Sequence, residues 1–350
     1  MTLREIAIIG GGALGSSLAI NLSRRKEIRW IVRSSADAAE ILRTRTNPHY
    51  LPDHRIPDAI HVTTDIAAGL ASADLALVAT PTAAFASVVG AVADARPGLP
   101  VIWGCKGFCP RTGELLSAAA AEILTPGTVH GALSGPGFAE GLASGDPTAL
   151  VVATNAGKES TLAVAEALSN ESLRVYANPD LIGVQICGAI KNVYAIAAGI
   201  IDGCGWGVNT RAAMMTRAIA ETRVLLKAWN GKRSTLVGLS GFGDFHLTCG
   251  SRQSRNYQVG MALASGVPLA RALETLGHVA EGVQTARLIC GRAEAAGIEM
   301  PLARAVNEIL DGVRSPRECA AALMARDIRS EKKPKAKSAP ARNSRLTDLV

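Results

Sequence analysis

The sequence predicts an α/β fold, a doubly wound sheet of the Rossmann type, followed by a second, all-α domain. A glycine-rich turn joins a strand-like run to a helical run close to residue 1. Short apolar runs then alternate with Ala-rich helical segments as far as about residue 154, a pattern typical of a doubly wound sheet. From about residue 180 the periodicity is helical almost to the end. We therefore expect a first domain over residues 1–180, an all-α domain over 181–328 and a basic, disordered tail over 329–350.

Composition and charge narrow the class of protein. The chain has 350 residues, of which 48% are hydrophobic, enough for the cores of two domains. Much of the net charge of +7 lies in the tail, and no pattern of aromatic and basic residues predicts nucleic-acid binding. We find no signal peptide and no uninterrupted apolar stretch of about 20 residues, which predicts a cytoplasmic protein without membrane spans. The seven scattered cysteines and the lack of metal-ligand spacing predict reduced thiols and no metal.

The glycine-rich turn has the spacing of a dinucleotide-binding loop. Residues 5–10 form the apolar run, and Gly10, Gly12 and Gly15 follow in the pattern G-x-G-x-x-G before the helical run. Gly10 allows the tight turn, Gly12 lets the backbone approach a pyrophosphate, and Gly15 lets strand and helix pack closely. The positive end of the helix faces the anion. The alternative is an ordinary glycine-rich turn, which this position before a helix does not favour.

The second strand indicates which nicotinamide cofactor is used. It is predicted at residues 28–32, and it ends in Arg33 and Ser34 where an NAD-preferring site usually has Asp or Glu. A guanidinium group suits the 2′-phosphate, so we expect NADP(H) to be preferred, with NAD(H) as the alternative. The competing interpretation is that Arg33 is merely exposed.

Two further strands end beside residues that a ligand would meet. Pro81 follows the run 74–80, and Lys106 follows the run 100–105. Ligands bind beyond the carboxyl ends of such strands, so both residues are expected at the cleft. The turn 134–139, between two more strand-like runs, exposes backbone N–H groups, although Gly and Pro also mark ordinary loops.

The helical half carries the candidate catalytic groups. Lys191 and Asn192 lie in an apolar helical run, where burial lowers the pKa of a lysine and makes it a candidate general base; the alternative is a lysine that reaches the surface. Asp244 and Thr248 are four residues apart and share a face if they begin a helix, although a helix cap and a packed hydroxyl would look the same. Residues 254–256 offer a hydroxyl, a guanidinium and an amide suited to an oxyanion, as could any polar loop.

Taken in order, these motifs resemble the bacterial-type NAD(P)-dependent glycerol-3-phosphate dehydrogenase family from about residue 5 to about residue 328. Any one motif could arise by chance, but their number and order are specific. The motifs are Ile9 to Gly15, Asn47 to Pro52, Lys106-Gly107, Ser134 to Pro136 with Phe138-Ala139, Pro147 to Ala149, Gly188 to Asn192, Asn209 to Arg211, Gly243-Asp244 with Leu247 to Cys249, Ser254 to Asn256, and Val279 to Gly282.

The resemblance implies interconversion of dihydroxyacetone phosphate and sn-glycerol 3-phosphate, feeding glycerophospholipid synthesis, in a homodimer. It implies that Lys191 is the general acid/base and that Lys106 polarises the carbonyl. The catalytic residues implied are Lys106, Lys191, Asn192, Asp244 and Thr248. The substrate-binding residues are Lys106, Gly135, Gly137, Lys191, Asp244, Ser254, Arg255 and Asn256. The cofactor-binding residues are Gly10, Gly12, Ala13, Leu14, Gly15, Arg33, Pro81, Lys106, Ala139, Arg255, Val279 and Glu281.

The chain departs from the family pattern at a few positions. Gly137 replaces a hydroxyl residue, Glu140 and Gly141 replace Lys-Glu, and Ala13-Leu14 replaces a polar residue followed by an aromatic one. These changes leave two alternatives: a reductase of another small 2-oxo compound on the same scaffold, or a non-catalytic NADPH-binding sensor. The guanidinium of Arg255 suits a phosphate, which argues against a reductase of an uncharged compound. The expected burial of Lys191 argues against a non-catalytic sensor.

Overall fold

The computed structural model describes residues 3–277 and 280–327, and its first half is built on one eight-stranded sheet. The strands are β1 (Glu5–Ile9), β2 (Glu27–Ile31), β3 (His61–Thr63), β4 (Leu75–Val78), β5 (Val101–Trp103), β6 (His130–Ser134), β7 (Thr148–Thr154) and β8 (Leu173–Ala177). The helices of this half are α1 (Ala13–Leu22), α2 (Ser35–Thr44), α3 (Ile66–Leu70), α4 (Phe85–Ala95), α5 (Leu116–Ile123), α6 (Ala139–Ser144) and α7 (Lys158–Ala167).

The strand order is β3-β2-β1-β4-β5-β6-β7-β8, which confirms the predicted doubly wound fold. The chain runs outward from β1 to β3 at one edge, returns to β4 on the other side of β1, and continues to β8 at the other edge. All neighbours pair in parallel except β6 and β7, which are antiparallel. β1 and β4 are buried along their whole length, so both faces of the sheet are covered. The carboxyl ends of β1, β4, β5 and β6 therefore meet at one edge of the sheet.

The second half is helical, as the periodicity predicts. Its helices are α8 (Leu181–Gly203), α9 (Val208–Ala228), α10 (Asp244–Cys249), α11 (Arg255–Ala264), α12 (Leu269–Leu276), α13 (Glu281–Ala295), α14 (Pro301–Leu310) and α15 (Pro316–Met324). A 3₁₀ segment (Arg233–Val237) and a single π turn (Leu239–Gly243) precede α10.

The core of this half is α8, a helix of 23 residues whose side chains are buried from Gly183 to Ile201. By length and composition alone α8 could cross a membrane, but its most apolar 18-residue window lies entirely inside the protein. Asp180 caps it: one carboxylate oxygen accepts a hydrogen bond from the Gly183 N–H at 2.9 Å, and the other accepts one from Thr235 Oγ1 at 2.5 Å. The helix therefore begins at a fixed point directly after the last segment of the sheet.

Glycines let α8 and α11 approach backbone to backbone. A methyl group placed on Gly199 would lie 2.0 Å from the carbonyl oxygen of Tyr257, and one on Gly260 would lie 2.1 Å from that of Ile196. Such distances leave no room for a side chain at either position. The close crossing fixes α11, and with it residues 254–256, relative to Lys191 on α8.

Candidate active site

One buried carboxylate joins two lysines at the edge of the sheet where the strands end. Asp244 Oδ2 lies 2.5 Å from Lys106 Nζ, and Asp244 Oδ1 lies 2.5 Å from Lys191 Nζ. Lys191 also donates a hydrogen bond to Thr248 Oγ1 at 2.7 Å. The side chains of Asp244 and Lys191 are 2% and 9% exposed, whereas that of Lys106 is 20% exposed. Lys106 is therefore the member of this group that is most open to a ligand.

These four side chains come from three different segments of the chain. Lys106 lies in the loop that follows β5, and Lys191 lies midway along α8. Asp244 is the first residue of α10, and Thr248 lies one turn later on the same face, as predicted from the spacing. The π turn before α10 carries Gly241, where a side chain would lie 2.2 Å from the Leu236 carbonyl oxygen. This tight turn brings the start of α10 against α8.

Burial and the opposing charges set the pKa values of this group. Burial lowers the pKa of Lys191 to about 8, although the Asp244 carboxylate opposes that shift. Burial also tends to raise the pKa of Asp244, but the two ammonium groups outweigh it and hold that pKa below its ordinary value. A lysine that exchanges its proton near pH 8, beside a carboxylate that stays ionised, is suited to general acid/base chemistry.

The glycine-rich loop has the geometry that a pyrophosphate requires. Gly10 has φ +132°, and a methyl group there would lie 2.6 Å from the Ala79 carbonyl oxygen, while one on Gly15 would lie 2.0 Å from that of Gly10. A methyl group on Gly12, in contrast, would meet no atom of the described residues within 4 Å. No side chain caps α1, and no acidic residue lies in its first turn. The first N–H groups of α1 therefore face open space that fits the phosphates of a dinucleotide.

Asn47 holds the glycine-rich loop from outside. Its Nδ2 donates to the Gly11 carbonyl oxygen at 2.9 Å and to Ser16 Oγ at 2.8 Å, and its side chain is buried. The motif that contains Asn47 was recognised in the sequence, but this contact was not predicted. Asn47 is 36 residues from Gly11 and 31 residues from Ser16 in sequence, so no local pattern reveals these contacts.

Glu281 connects the helical half to the segment that follows β4. Its carboxylate accepts hydrogen bonds from Thr82 Oγ1 at 2.6 Å and from the Thr82 N–H at 3.2 Å. Thr82 directly follows Pro81, which is exposed just beyond β4. Sequence reasoning missed Thr82, although its place after a strand at the cleft was a signal that could have identified it.

Residues 254–256 lie at the start of α11, and two of them make hydrogen bonds that hold the fold. Ser254 Oγ accepts a hydrogen bond from the Tyr257 N–H at 3.3 Å and caps the helix. Asn256 Oδ1 accepts one from the Gly282 N–H at 3.0 Å. The Arg255 side chain is exposed at the positive end of the helix. Arg255 and the amide nitrogen of Asn256 are thus the groups left to bind an anion.

The remaining predicted residues lie at the starts of two helices and just beyond β6. Ala13 and Leu14 form the first turn of α1, and Ala139 that of α6. Gly135 has φ +130° just beyond β6, and a methyl group on Gly137 would lie 3.3 Å from Leu150 Cδ2.

Two predicted residues, Arg33 and Asn192, are not hydrogen-bonded to the charged group in the described part of the chain. Arg33 is exposed beyond β2. Asn192 is buried on α8, and within residues 3–277 and 280–327 its side chain makes no hydrogen bond to Asp244. Val279 lies outside the described residues. In the described part of the chain, no three His, Cys, Asp or Glu side chains are grouped as a metal site would require.

Comparison with known proteins gives one consistent family. Residues 5–160 match the family model for the N-terminus of NAD-dependent glycerol-3-phosphate dehydrogenase, and residues 180–321 match the model for its C-terminus. The chain is 43% identical over 327 residues to glycerol-3-phosphate dehydrogenase [NAD(P)+] of Dechloromonas aromatica, covering 93% of this chain and 99% of that protein. It is 44% identical over 328 residues to the protein of the same name from Aromatoleum aromaticum, covering 93% of this chain and 100% of that protein.

A solved structure agrees with these sequence relatives. The crystal structure of glycerol-3-phosphate dehydrogenase from Coxiella burnetii superposes with a TM-score of 0.88 at 34% identity, covering 93% of this chain and 100% of that one. With its glycine-rich loop, its doubly wound sheet and its lysine-carboxylate-lysine centre, this chain belongs to the NAD(P)-dependent glycerol-3-phosphate dehydrogenase family.

Proposed function

We propose that this protein interconverts dihydroxyacetone phosphate and sn-glycerol 3-phosphate with a nicotinamide cofactor, and that Lys191 is the general acid/base. The observation that carries the proposal is the buried Lys191, which has a pKa of about 8 and is held by Asp244 and Thr248. The names of the relatives supply glycerol 3-phosphate, and oxidation of its C2 hydroxyl gives dihydroxyacetone phosphate.

In the direction of carbonyl reduction, the protein has to supply a proton to the carbonyl oxygen. Lys191 donates that proton from Nζ, and Asp244 keeps the charge near the lysine balanced while the proton is exchanged. Lys106, which is more exposed, donates a hydrogen bond to the same oxygen and stabilises the negative charge that develops on it. In the oxidation direction, neutral Lys191 takes the proton from the C2 hydroxyl. The nicotinamide, when bound, supplies or accepts the hydride.

The phosphate end of the substrate requires an anion site, and the start of α11 supplies one. Arg255 and the amide of Asn256 lie at the positive end of that helix, whose position against α8 is fixed by Gly199. A site of this kind favours a phosphorylated substrate over an uncharged 2-oxo compound. A non-catalytic NADPH sensor would not need a buried lysine, so Lys191 argues against that alternative.

The decisive experiment compares NADPH oxidation by wild type, Lys191→Ala and Lys227→Ala with dihydroxyacetone phosphate. Removal of the general acid is expected to lower kcat by roughly 10²- to 10⁴-fold. The control substitution removes an exposed lysine on α9 and is expected to leave kcat unchanged. If the wild type binds NADPH but does not turn over dihydroxyacetone phosphate, the proposal fails. Turnover of other small 2-oxo compounds would then indicate the reductase alternative, and no turnover at all would indicate the sensor.

We also propose a preference for NADP(H), supported by Arg33 beyond the end of β2 where a carboxylate would favour NAD(H). The Arg33→Ala substitution removes a charge-assisted contact to the 2′-phosphate, so the ratio of kcat/KM for NADPH to that for NADH is expected to fall about tenfold. Arg43→Ala, which changes an exposed arginine on α2, is the matched control. An unchanged ratio in Arg33→Ala would refute this role.

We also propose that the protein is a cytoplasmic homodimer and that its product is used for glycerophospholipid synthesis. Its two domains are proposed to divide near residue 180. Light scattering during size-exclusion chromatography tests the dimer, and a single mass of one chain would contradict it. Limited proteolysis with release of a fragment ending near residue 180 tests the boundary. Restoration of growth without added glycerol, in a bacterium that lacks its own glycerol-3-phosphate dehydrogenase, tests the role in lipid synthesis.

A further inference from the structure

Ser134, the last residue of β6, carries a buried hydroxyl without a partner. The residue is 5% exposed, and its Oγ makes no hydrogen bond within the described part of the chain. Buried polar groups in folded proteins are nearly always hydrogen-bonded, so an exception at the edge of an active site calls for a reason. A ligand atom that arrives only during turnover would supply the missing partner.

The hydroxyl adjoins a small cavity beside Lys106. The cavity has a volume of about 10 Å³, and its lining includes Ser134, Lys106 and Gly188. Gly188 lies on α8, three residues before Lys191. A methyl group on Gly188 would lie 3.1 Å from Ser134 Oγ and 3.6 Å from Lys106 Cγ. Ser134 and the aliphatic part of Lys106 therefore both border the space that the missing side chain of Gly188 leaves open.

The size and lining of the cavity restrict what it can bind. About 10 Å³ is close to the minimum that one water-sized group requires, so a phosphate does not fit. The lining also includes Cys105 and Gln185, but the Gln185 amide is already hydrogen-bonded to Ser117. The unpartnered Ser134 hydroxyl is therefore the group that suits a small, uncharged polar ligand group. A hydroxyl group of a substrate has this size and can both donate to and accept from Ser134 Oγ.

The proposed substrate has such a group beside its reacting carbon. Dihydroxyacetone phosphate carries its carbonyl between a phosphorylated end and a hydroxymethyl end. If Lys106 and Lys191 bind the carbonyl oxygen and the start of α11 binds the phosphate, the hydroxymethyl end remains, next to Lys106. We propose that Ser134 is a specificity-determining residue that hydrogen-bonds this terminal hydroxyl in the cavity beside Gly188. The inference rests on the proposed function and assigns the one end of the substrate that it left without a partner.

The test compares dihydroxyacetone phosphate with hydroxyacetone phosphate, which carries a methyl group in place of the hydroxymethyl group. A site built to bond a hydroxyl discriminates strongly against an analogue that lacks it. Wild type is therefore expected to prefer dihydroxyacetone phosphate in kcat/KM. In Ser134→Ala that preference is expected to fall about tenfold or more, because the variant loses rate with dihydroxyacetone phosphate and much less with the analogue.

Ser240→Ala is the matched control, because Ser240 is another buried serine whose hydroxyl has no partner among the described residues, and it does not line this cavity. It is expected to keep the wild-type preference. Ser134→Cys, which retains a side chain of similar shape but a weaker donor, is expected to fall between wild type and Ser134→Ala. Thermal unfolding verifies that each variant is folded.

Two outcomes would overturn the inference. An equal loss with both substrates in Ser134→Ala would indicate that the cavity holds only a structural water, and unchanged kcat/KM with both substrates would indicate that Ser134 does not contact the substrate. Both results require that the wild type turns over dihydroxyacetone phosphate. Absence of that turnover would instead refute the proposed function, so the two failures are distinguishable.

Discussion

Asp244→Asn tests whether the charge of Asp244 controls the protonation of Lys191. The substitution keeps the shape of the side chain and removes the negative charge that lies 2.5 Å from Lys191 Nζ. Burial, the largest influence, lowers the pKa of Lys191, and Asp244 opposes it. Without that opposition the pKa of Lys191 falls further below about 8.

The size of the shift follows from the separation of the charges. Two unit charges about 4 Å apart attract by about 4 kcal/mol at an effective dielectric constant of about 20. At about 1.4 kcal/mol per pKa unit, loss of that attraction corresponds to about 3 units. Lys106 also loses its partner and can move away into solvent, because its side chain is 20% exposed. Its withdrawal relieves repulsion of Lys191, so we expect a net decrease of about 1 to 2 units.

The assay is kcat/KM for glycerol 3-phosphate oxidation with NADP⁺, measured from about pH 6 to about pH 10. In the proposed mechanism oxidation requires neutral Lys191, so the wild-type rate is expected to rise with pH and to level off above about pH 8. In Asp244→Asn the rise is expected at lower pH, with a lower plateau because Lys191 is held less firmly. A rise at the same pH or at higher pH than in wild type would refute the electrostatic role of Asp244. Asp202→Asn, which removes an acidic group outside this site, is the control.

Three further predictions concern glycine contacts and pH-dependent stability. Gly15→Ala places a methyl group 2.0 Å from a backbone carbonyl and should lower the free energy of unfolding by about 3 kcal/mol, whereas Gly12→Ala should preserve it and weaken NADPH binding in a titration. Gly199→Ala should likewise destabilise the protein to urea, but Gly291→Ala, which faces open space on α13, should stabilise it by about 0.5 kcal/mol. Since the folded pKa of Lys191 is lowered from 10.5 to about 8, the unfolded state binds more protons between these values, so stability relative to Lys191→Met should rise with pH across that window. A flat difference would contradict the lowered pKa.

Much of the fold could be predicted from local patterns. The apolar run of β1 and the glycines after it indicated the start of the sheet, and the predicted strands at 28–32 and 74–80 contain or overlap β2 and β4. β3 was not predicted, because it has only three residues and begins with the exposed His61. β8 was not predicted either, since exposed Arg174 and Tyr176 alternate with buried residues at the edge of the sheet.

The candidate site was predictable in its residues but not in its connections. The apolar surroundings of Lys191 indicated a buried lysine, and the spacing of Asp244 and Thr248 indicated a shared helix face. Neither pattern could show that one carboxylate contacts two lysines, because Lys106 and Asp244 are 138 residues apart in sequence. The contact between Thr82 and Glu281 was hidden for the same reason, at a separation of 199 residues.

The contact between Lys106 and Asp244 joins a loop of the sheet to the helices that carry Lys191 and Thr248. A widening of the cleft that separates Lys106 from Asp244 would remove a positive charge that lowers the pKa of Lys191. An open cleft would therefore favour the protonated lysine, and a closed cleft would favour release of its proton. If the cleft opens to admit substrate, that same movement would favour protonation of Lys191, and the proposed general acid would be ready for the next carbonyl reduction.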